Sequence, residues 1–355
     1  MFGTLAEGST IQDLELIDFN ITASSGSAGA LVGKIEGTDS EKSTISNVLA
    51  YHTAKTDAYK TASVTASSGD AGGLIGSATN CEVTKCAAAL VVSGSANAGG
   101  LIGSSTGGEV KASYSGGHTY SGNPNYTGTT APDPARTPNA VRYYDSENKP
   151  IYNVTGGTTA GGLIGDAGNT TISNSYSTCS AKAADNSGMA GGFVGTSSGT
   201  ITNCYCTGLV VAPTDPTENH GAFAGSVESG FSASGCQYFE IINEREDAAA
   251  GYTYLGPVNN AEYSGITAFD ETAATYQSFS GDPEKWKGAA PYDQTLVTYY
   301  HKIIKENEGA ENESTKTIPL YNLVTVGQLD SSVSASDFVS THYGDWPAPE
   351  EFVFN

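Results

Sequence analysis

The chain has 355 residues, 44 of them glycine, and a formal net charge of −22 although only 15% of its residues are charged. This excess of carboxylates argues against binding to nucleic-acid phosphates, because such binding requires clustered lysine and arginine. No apolar stretch approaches the roughly 18 residues that cross a bilayer, and the opening residues do not resemble a signal peptide. We therefore expect a fragment of a longer protein that has no nucleic-acid partner and does not itself insert into a membrane.

The most informative pattern is a recurring five-residue segment, Gly-Gly-Leu-Ile-Gly, which we call the glycine motif. Near-verbatim copies stand at 72–76, 99–103 and 161–165, and looser copies stand at 29–33, 191–195 and 221–225. Three of the intervals are about 27 to 30 residues, and the two longer ones equal one such unit plus an inserted loop. Units of this kind bury an apolar edge against the next unit, so the pattern predicts a stack of repeats.

A second recurring segment follows each glycine motif and contains short β-runs. Its copies are Thr44–Val48, Glu82–Cys86, Glu109–Ser113, Thr171–Ser175 and Thr200–Cys204. These runs are too short and too glycine-rich for helices, and stacking them about 4.8 Å apart pairs each strand with its copy in the next unit. The sequence predicts an all-β fold: a right-handed parallel β-helix of about seven or more coils, with inserted loops and a C-terminal cap.

If inward-facing and outward-facing residues alternated strictly through this second segment, the charged side chain of Lys85 would face the apolar core, which is unfavourable. A turn of the backbone at this position, which we call the corner, removes the conflict. Asparagine tolerates the left-handed backbone that such a corner needs, so we predict turns at Asn47, Asn174 and Asn203. In each copy, the apolar residue two positions before the corner is predicted to point inward. These residues are Val83, Val110, Ile172 and Ile201.

Beyond the corner, alternate residues are predicted to share one inward face. They are Cys86, Ala88, Leu90, Val92, Cys204, Cys206 and Val210. The intervening positions would then point outward, where Tyr114, Tyr176 and Tyr205 are predicted to stack as a ladder. A structural role and a ligand platform are both open for these tyrosines.

The cysteines follow the same repeat. Cys86, Cys204 and Cys236 share one position, at which other copies carry serine or valine, and this exchange is typical of a small packing residue. A disulfide between Cys204 and Cys236 is compatible with their stacking. Zinc is the least favoured alternative, because Cys204 and Cys206 have no second cysteine pair and His220 stands alone. We expect neither a metal nor a cofactor.

Two insertions interrupt the repeats, a short one near Tyr51–Thr61 and a longer one at about Gly117–Tyr152. Loops displayed by a rigid stack often carry function, and the longer insertion is rich in proline and tyrosine. The candidate ligand-binding residues are its tyrosines: Tyr120, Tyr126, Tyr143 and Tyr144. The same loop could instead be an ordered flap without a partner.

The glycine repeat fades near residue 237, and residues 237–355 carry 19 Asp and Glu against 6 Lys and Arg. We predict that residues 1–236 hold the repeats and that residues 237–355 form final irregular coils and an acidic cap, because an uncovered terminal coil exposes unpaired strand edges. Phe269–Lys287 could hold a short helix. Leu296–Lys305 has apolar residues at helical spacing, although a strand also fits.

The glycine motif, together with the segment Gly199–Tyr205, resembles the GLUG repeat, and the resemblance covers about residues 1–236. That repeat occurs in large bacterial surface proteins, including adhesin-like proteins and non-catalytic regions of some immunoglobulin A peptidases. The resemblance implies an extracellular location on a bacterial cell surface, and it implies no catalytic residue within the repeat. The long insertion, and phenylalanine in place of leucine at Phe193 and Phe223, depart from the pattern.

The acidic residues do not form an obvious catalytic pair. Polysaccharide-cleaving β-helices need clustered carboxylates or a basic residue beside calcium, whereas the nearest acids, Asp166 and Asp185, are expected at solvated turns. We therefore predict that the protein is not an enzyme. Two functions remain: an adhesin-type module that binds a host glycan or protein, and a structural stalk or spacer that presents another domain.

Overall fold

The computed structural model describes a defined set of residues: 1–51, 62–116, 143–144, 150–151, 153–177, 179–184, 187–206, 208, 210–212, 219–238, 243–245, 252–253, 255–268, 292–306 and 314–327. Every regular element among them is a β-strand, and most strand pairs are parallel. Across these residues the structure holds no helix with the length and apolar character that crossing a membrane requires. The prediction of an all-β, largely parallel fold is confirmed for the described part of the chain.

Four sheets run through the described repeats, and we number them I to IV. Sheet I contains Phe2–Leu5, Val32–Glu36, Ile75–Thr79, Ile102–Thr106, Ile164–Ala167, Val194–Ser197 and Ala224–Val227. Sheet II contains Thr10–Ile17, Ser43–Tyr51, Cys81–Thr84, Ala87–Ala89, Glu109–Lys111, Tyr114–Ser115, Thr171–Ser173, Tyr176–Ser177, Thr200–Thr202, Tyr205–Cys206, Ser232–Ser234, Cys236–Tyr238 and Ile266–Ala268. Sheet III contains Asn20–Ala23, Ser63–Ala66, Val91–Gly94, Val154–Gly156, Ala181–Ala183, Val210–Ala212, Asn243–Arg245 and Tyr252–Thr253. Sheet IV contains Ala28–Gly29, Ala71–Gly72, Asn97–Gly99, Thr159–Gly161, Met189–Gly191 and His220–Gly221.

One repeat passes through all four sheets before the next begins. From Ala71–Gly72 in sheet IV, the chain enters sheet I at Ile75, crosses sheets II and III, and returns to sheet IV at Asn97–Gly99. Successive repeats pair in parallel and in register. The backbone N–H of Leu74 donates to the Leu101 carbonyl at 2.8 Å, and that of Leu101 donates to Leu163 at 2.9 Å. The leucines of successive glycine motifs therefore lie in register, as the predicted stack of repeats requires.

Equivalent apolar side chains form columns inside the stack. The central column contains Leu31, Leu74, Leu101, Leu163, Phe193 and Phe223, each 0% exposed. The rings of Phe193 and Phe223 stack with centroids 4.8 Å apart, so the substitution of leucine by phenylalanine preserves the column. Burial of these side chains from every repeat is the main apolar contribution to stability.

The glycine motif is explained by close approach of the backbone. A Cβ on Gly99 would overlap the carbonyl oxygen of Ile102 and would lie 2.6 Å from the backbone nitrogen of Gly165 in the next repeat. A Cβ on Gly100 would overlap the Gly162 carbonyl oxygen and lie 2.7 Å from the Ser115 Cβ. The obstacles at Gly99 are backbone atoms, so this position excludes a side chain, and every copy of the motif carries glycine there. The position of Gly100 is less strict, because the copies at 29–33 and 221–225 carry Ala30 and Ala222.

The predicted corner is present in sheet II. Asn47, Asn174 and Asn203 have positive φ values of 53°, 49° and 52°, and Lys85 and Ala112 adopt the same conformation at 55° and 49°. The residues before the corner are buried as predicted: Val83, Val110, Ile172 and Ile201 are at most 1% exposed. The residues predicted to point inward after the corner are also buried and belong to the main core. In Thr10–Ile17 and Ser43–Tyr51 a single strand continues through the corner, although Asp13 and Asn47 keep positive φ values.

Replacing Lys85 with asparagine is expected to stabilise the protein by about 0.5 to 1 kcal/mol, because lysine is strained in the left-handed conformation that asparagine tolerates. The melting temperature measured by circular dichroism checks this result. The matched reverse variant, Asn174→Lys, should lower the melting temperature. A lower melting temperature for Lys85→Asn would show that the lysine stem contributes more than the corner strain.

The segment 255–268 lies against the last full repeat. The Pro257 carbonyl oxygen accepts the backbone N–H groups of Phe223 at 2.9 Å and Ala224 at 2.8 Å, and Ile266–Ala268 pairs in parallel with Cys236–Tyr238. Leu255 and Val258 are 3% and 5% exposed. The segment therefore covers apolar surface at the C-terminal end of the stack.

Two antiparallel hairpins occur outside these sheets. Tyr143–Tyr144 pairs with Pro150–Ile151, and Tyr292–Glu306 pairs with Ser314–Gly327. The helical alternative for Leu296–Lys305 is therefore wrong, because this run is part of the long strand Tyr292–Glu306 and is rich in β-branched and aromatic residues. The helix predicted for Phe269–Lys287 lies outside the described residues, as does nearly all of both insertions.

Candidate functional site

The tyrosines predicted to bind a ligand are only partly within the described structure. Tyr120 and Tyr126 lie outside it. Tyr143 and Tyr144 form a two-residue strand whose antiparallel partner is Pro150–Ile151. The role of these four tyrosines in binding therefore stays a prediction.

The second aromatic candidate, the ladder of Tyr114, Tyr176 and Tyr205, is formed as predicted. Adjacent ring centroids are 4.8 and 4.9 Å apart, with interplanar angles of 3° and 2°. The expectation that the ladder faces solvent is wrong, because the three residues are only 3%, 3% and 0% exposed. They lie on the strand face opposite the main core, and this outer face is itself covered. Rings buried to this degree favour a structural role over a ligand platform.

A different group of side chains forms the best-defined polar surface of the described residues, and we call it the polar strip. It combines outward-facing residues of sheet I with the residues at or just before the start of the sheet IV strands. Its members are Asp70, Ser77, Asn97, Ser104, Thr159, Asp166 and Thr196.

Hydrogen bonds connect the polar strip across the repeats. The Asp70 carboxylate accepts the Asn97 side-chain amide at 2.9 Å and the Ser104 hydroxyl at 2.8 Å. The Asn97 side-chain oxygen accepts the Thr159 hydroxyl at 2.8 Å. The hydroxyl oxygens of Ser77 and Ser104 are 3.0 Å apart, so the first five residues of the strip form one continuous network.

Asp166 continues the polar strip into the next repeats. Its Cα is the register partner of Ser104 on one side and of Thr196 on the other, and its Oδ1 accepts the Thr196 hydroxyl at 2.9 Å. The expectation that Asp166 occupies a solvated turn is wrong: it lies in the strand Ile164–Ala167 and is half-buried. Asp185 lies outside the described residues.

The chemistry of the polar strip suits a hydroxyl-rich ligand. Two carboxylates and an amide offer several acceptor positions, while serine and threonine hydroxyls both donate and accept. Asp70, Ser77, Asn97, Ser104 and Asp166 are half-buried, so part of each residue reaches solvent, whereas Thr159 and Thr196 are buried. The strip can therefore add hydrogen bonds to a ligand without rearranging its backbone.

Sequence reasoning did not identify the polar strip, although a signal for part of it is present. Ser77, Ser104, Asp166 and Thr196 each follow the last glycine of a glycine motif directly. Aligning that single position would have revealed a polar column. The cross-links from Asp70 to Ser104 and from Thr159 to Asn97 are not visible in the sequence, because they depend on how adjacent repeats are stacked.

The cysteines pack inside the stack. All six are free and buried, so the packing interpretation is supported. The column position of Cys86 is occupied by Ser113 and Ser175 in the following repeats, and the backbone N–H of Cys86 donates to the Ser113 hydroxyl at 3.1 Å. A serine hydroxyl or a cysteine thiol at this position can satisfy backbone groups beside the corner.

Cys81, Cys86 and Cys179 are expected to react slowly with alkylating reagents in the native protein. Burial raises the pKa of Cys81, Cys86 and Cys179 to about 12, so almost no thiolate is present at pH 8. We expect iodoacetamide to modify these three cysteines at least about 100-fold more slowly in the native protein than in the urea-unfolded protein. Mass spectrometry of timed samples checks the rates, and equal rates in the two states would contradict the buried placement.

Among the described residues, no three His, Cys, Asp or Glu side chains converge as a possible metal site. Comparison with known proteins adds no assignment, since no family model, curated protein or solved structure matches the chain. The polar strip is consequently described by its own geometry alone.

Proposed function

We propose that the chain is a non-catalytic, adhesin-type surface module, built as a right-handed parallel β-helix, that binds a host glycan or protein. The observation that carries this proposal is the polar strip, which places hydroxyl, amide and carboxylate groups along several in-register repeats. The spacing of adjacent strands, about 4.8 Å, presents these groups at regular intervals on a rigid surface. The tyrosines of the long insertion are a second part of the proposed binding surface.

The extracellular bacterial location follows from the resemblance of the glycine motif to the GLUG repeat and belongs to the proposal. The formal net charge of −22 is compatible with such a protein.

A glycan array and a host-protein pull-down test the binding function directly. We expect the double variant Asp70→Asn and Asp166→Asn to bind at least about 10-fold more weakly than the unmodified chain, since each charged acceptor contributes about 1.5 to 3 kcal/mol. The control is Glu109→Gln, which removes a carboxylate from sheet II, away from the polar strip. Equal binding by both proteins would remove the strip from the proposal.

A second set of proteins separates the strip from the insertion. Deleting residues 117–152 should weaken binding if the insertion tyrosines contact the ligand, and unchanged binding would remove them from the proposed surface. Circular dichroism must show that each variant keeps its β-structure. An experimental structure at side-chain resolution tests the proposed right-handed coil.

The alternative function is a structural stalk or spacer. It is favoured by one observation, that the polar strip's side chains already satisfy one another through hydrogen bonds, as a purely structural ladder would. A folded chain that binds no glycan or host protein on these arrays would support the stalk and contradict the adhesin-type module.

A further inference from the structure

Two cysteines occupy the same column in adjacent repeats. Tyr205 and Cys206 are the register partners of Gln237 and Tyr238, so the preceding residues, Cys204 and Cys236, lie opposite each other. The backbone N–H of Gln237 donates to the Cys204 carbonyl at 2.9 Å, which fixes the two strands at this point.

The two sulfur atoms share one small part of the interior. The Cys204 thiol donates to the Thr202 carbonyl at 3.3 Å, and the Cys236 thiol lies 3.5 Å from the neighbouring Ile201 carbonyl. The Cys236 thiol also lies 3.5 Å from the Ser234 carbonyl, two residues earlier in the chain. Adjacent parallel strands are about 4.8 Å apart, which lies within the Cα–Cα range of about 4.4 to 6.8 Å found for disulfides.

The pair is isolated from the other cysteines of its column. The repeat before Cys204 carries Ser175 at this position, and the strand after Cys236 places Ile266 there. Cys206 is the nearest competing thiol, but its own thiol donates to the Ala222 carbonyl at 3.1 Å. The column therefore offers Cys204 and Cys236 only each other as in-register partners.

We propose that Cys204 and Cys236 are a modification site, at which a small-molecule disulfide oxidant converts the two thiols into a disulfide between adjacent repeats. One cysteine, as its thiolate, attacks the oxidant disulfide, forming a mixed disulfide and releasing one small thiolate. The second cysteine, also as its thiolate, attacks the protein sulfur of the mixed disulfide and releases the second small thiolate. Two protein thiols are oxidised, one oxidant disulfide is reduced to two thiols, and the two protons pass to the released thiolates.

The first attack is favoured at Cys236. The neighbouring Cys204 thiol holds the pKa of Cys236 below its ordinary value, whereas burial raises the pKa of Cys204. Cys236 also lies near the C-terminal end of the described stack, and terminal repeats open more readily than central ones. Disulfides persist in oxidising compartments, so the bond would be stable on a cell surface.

The disulfide would fasten the last repeats together. It closes a loop of about 30 residues, which reduces the entropy of the unfolded chain and resists separation of the two strands. The effect acts where the stack ends, so it would raise the resistance of the C-terminal repeats to opening.

The experiment uses the full chain, refolded with and without a mixture of oxidised and reduced glutathione. After unfolding in guanidinium and blocking with N-ethylmaleimide, intact mass should show six blocked thiols in the reduced protein and four in the oxidised protein. Chymotrypsin cleaves after Tyr205 and so separates Cys204 from Cys206, which allows peptide mapping to identify the bonded residue. We expect the oxidised protein to melt at least about 3 °C higher than the reduced protein.

Two matched variants complete the test. Cys204→Ser introduces the residue that this column already carries at Ser113 and Ser175. After oxidation this variant should still have five free thiols, and it should melt at the same temperature as its reduced form. Cys86→Ser should still lose two thiols. Six blocked thiols after oxidation, a glutathione adduct in place of the bridge, or a bond between Cys206 and Cys236 would each overturn the proposal.

Discussion

Replacing Gly99 with alanine is expected to lower the free energy of unfolding by at least about 3 kcal/mol, the upper range for overpacking. The added Cβ would overlap the Ile102 carbonyl oxygen, and the next obstacles, the Gly165 nitrogen and the Ile164 Cα, are also backbone atoms. Such atoms cannot move aside by a change of rotamer, so relief requires separating two repeats. Guanidinium unfolding followed by circular dichroism measures the change.

The control for this variant is Gly3→Ala. Gly3 belongs to a strand of sheet I, whereas Gly99 ends a strand of sheet IV, and a Cβ on Gly3 would meet no atom within 4 Å. It should change the free energy of unfolding by less than about 0.5 kcal/mol. If Gly99→Ala destabilises the protein no more than this control does, steric exclusion is not the reason for the glycine motif.

Truncating Phe193 to alanine is expected to cost about 3 to 5 kcal/mol, the usual range for a buried phenylalanine. Phe193 is 0% exposed, and its ring stacks on Phe223 in the next repeat. The variant would leave a cavity inside the column, and neighbouring repeats held by paired strands could not collapse to fill it. Chemical unfolding again gives the magnitude, and hydrogen exchange should show faster exchange in the repeats beside residue 193.

The informative control is Phe193→Leu, because leucine fills the equivalent position at Leu74, Leu101 and Leu163. We expect it to cost less than about 1.5 kcal/mol, as a swap of related apolar residues usually does. A similar loss for the leucine and alanine variants would mean that the ring stack, and not the filled volume, stabilises this position.

Much of the stack could be predicted because its signals are local and repeated. The glycine motif indicates close approach of two backbone segments, and Asn47, Asn174 and Asn203 indicate a corner with left-handed backbone conformation. Each signal depends on a few adjacent residues, and several copies reinforce it. That is why the predicted stack of repeats and the predicted inward faces agree with the structure.

The remaining features depend on what lies beside a strand in space. Alternation correctly assigns Tyr176 to the strand face opposite the core, but it cannot tell whether that face is covered. Asp166 is expected at a solvated turn from the sequence, whereas pairing with Ser104 and Thr196 keeps it within a strand. The hydrogen bonds of the polar strip could not be predicted from the sequence either, because they join residues of different repeats that are far apart along the chain.

Register has a consequence for the length of the molecule. Removing residues 73–99 would join Gly72 directly to Gly100 and regenerate an intact glycine motif. The surfaces brought together would be those that neighbouring repeats already present to each other, so the molecule would shorten by one strand spacing of about 4.8 Å. Duplication of the same unit would lengthen it by an equal step. The distance spanned by this architecture can therefore evolve in discrete increments through in-frame gain or loss of whole units.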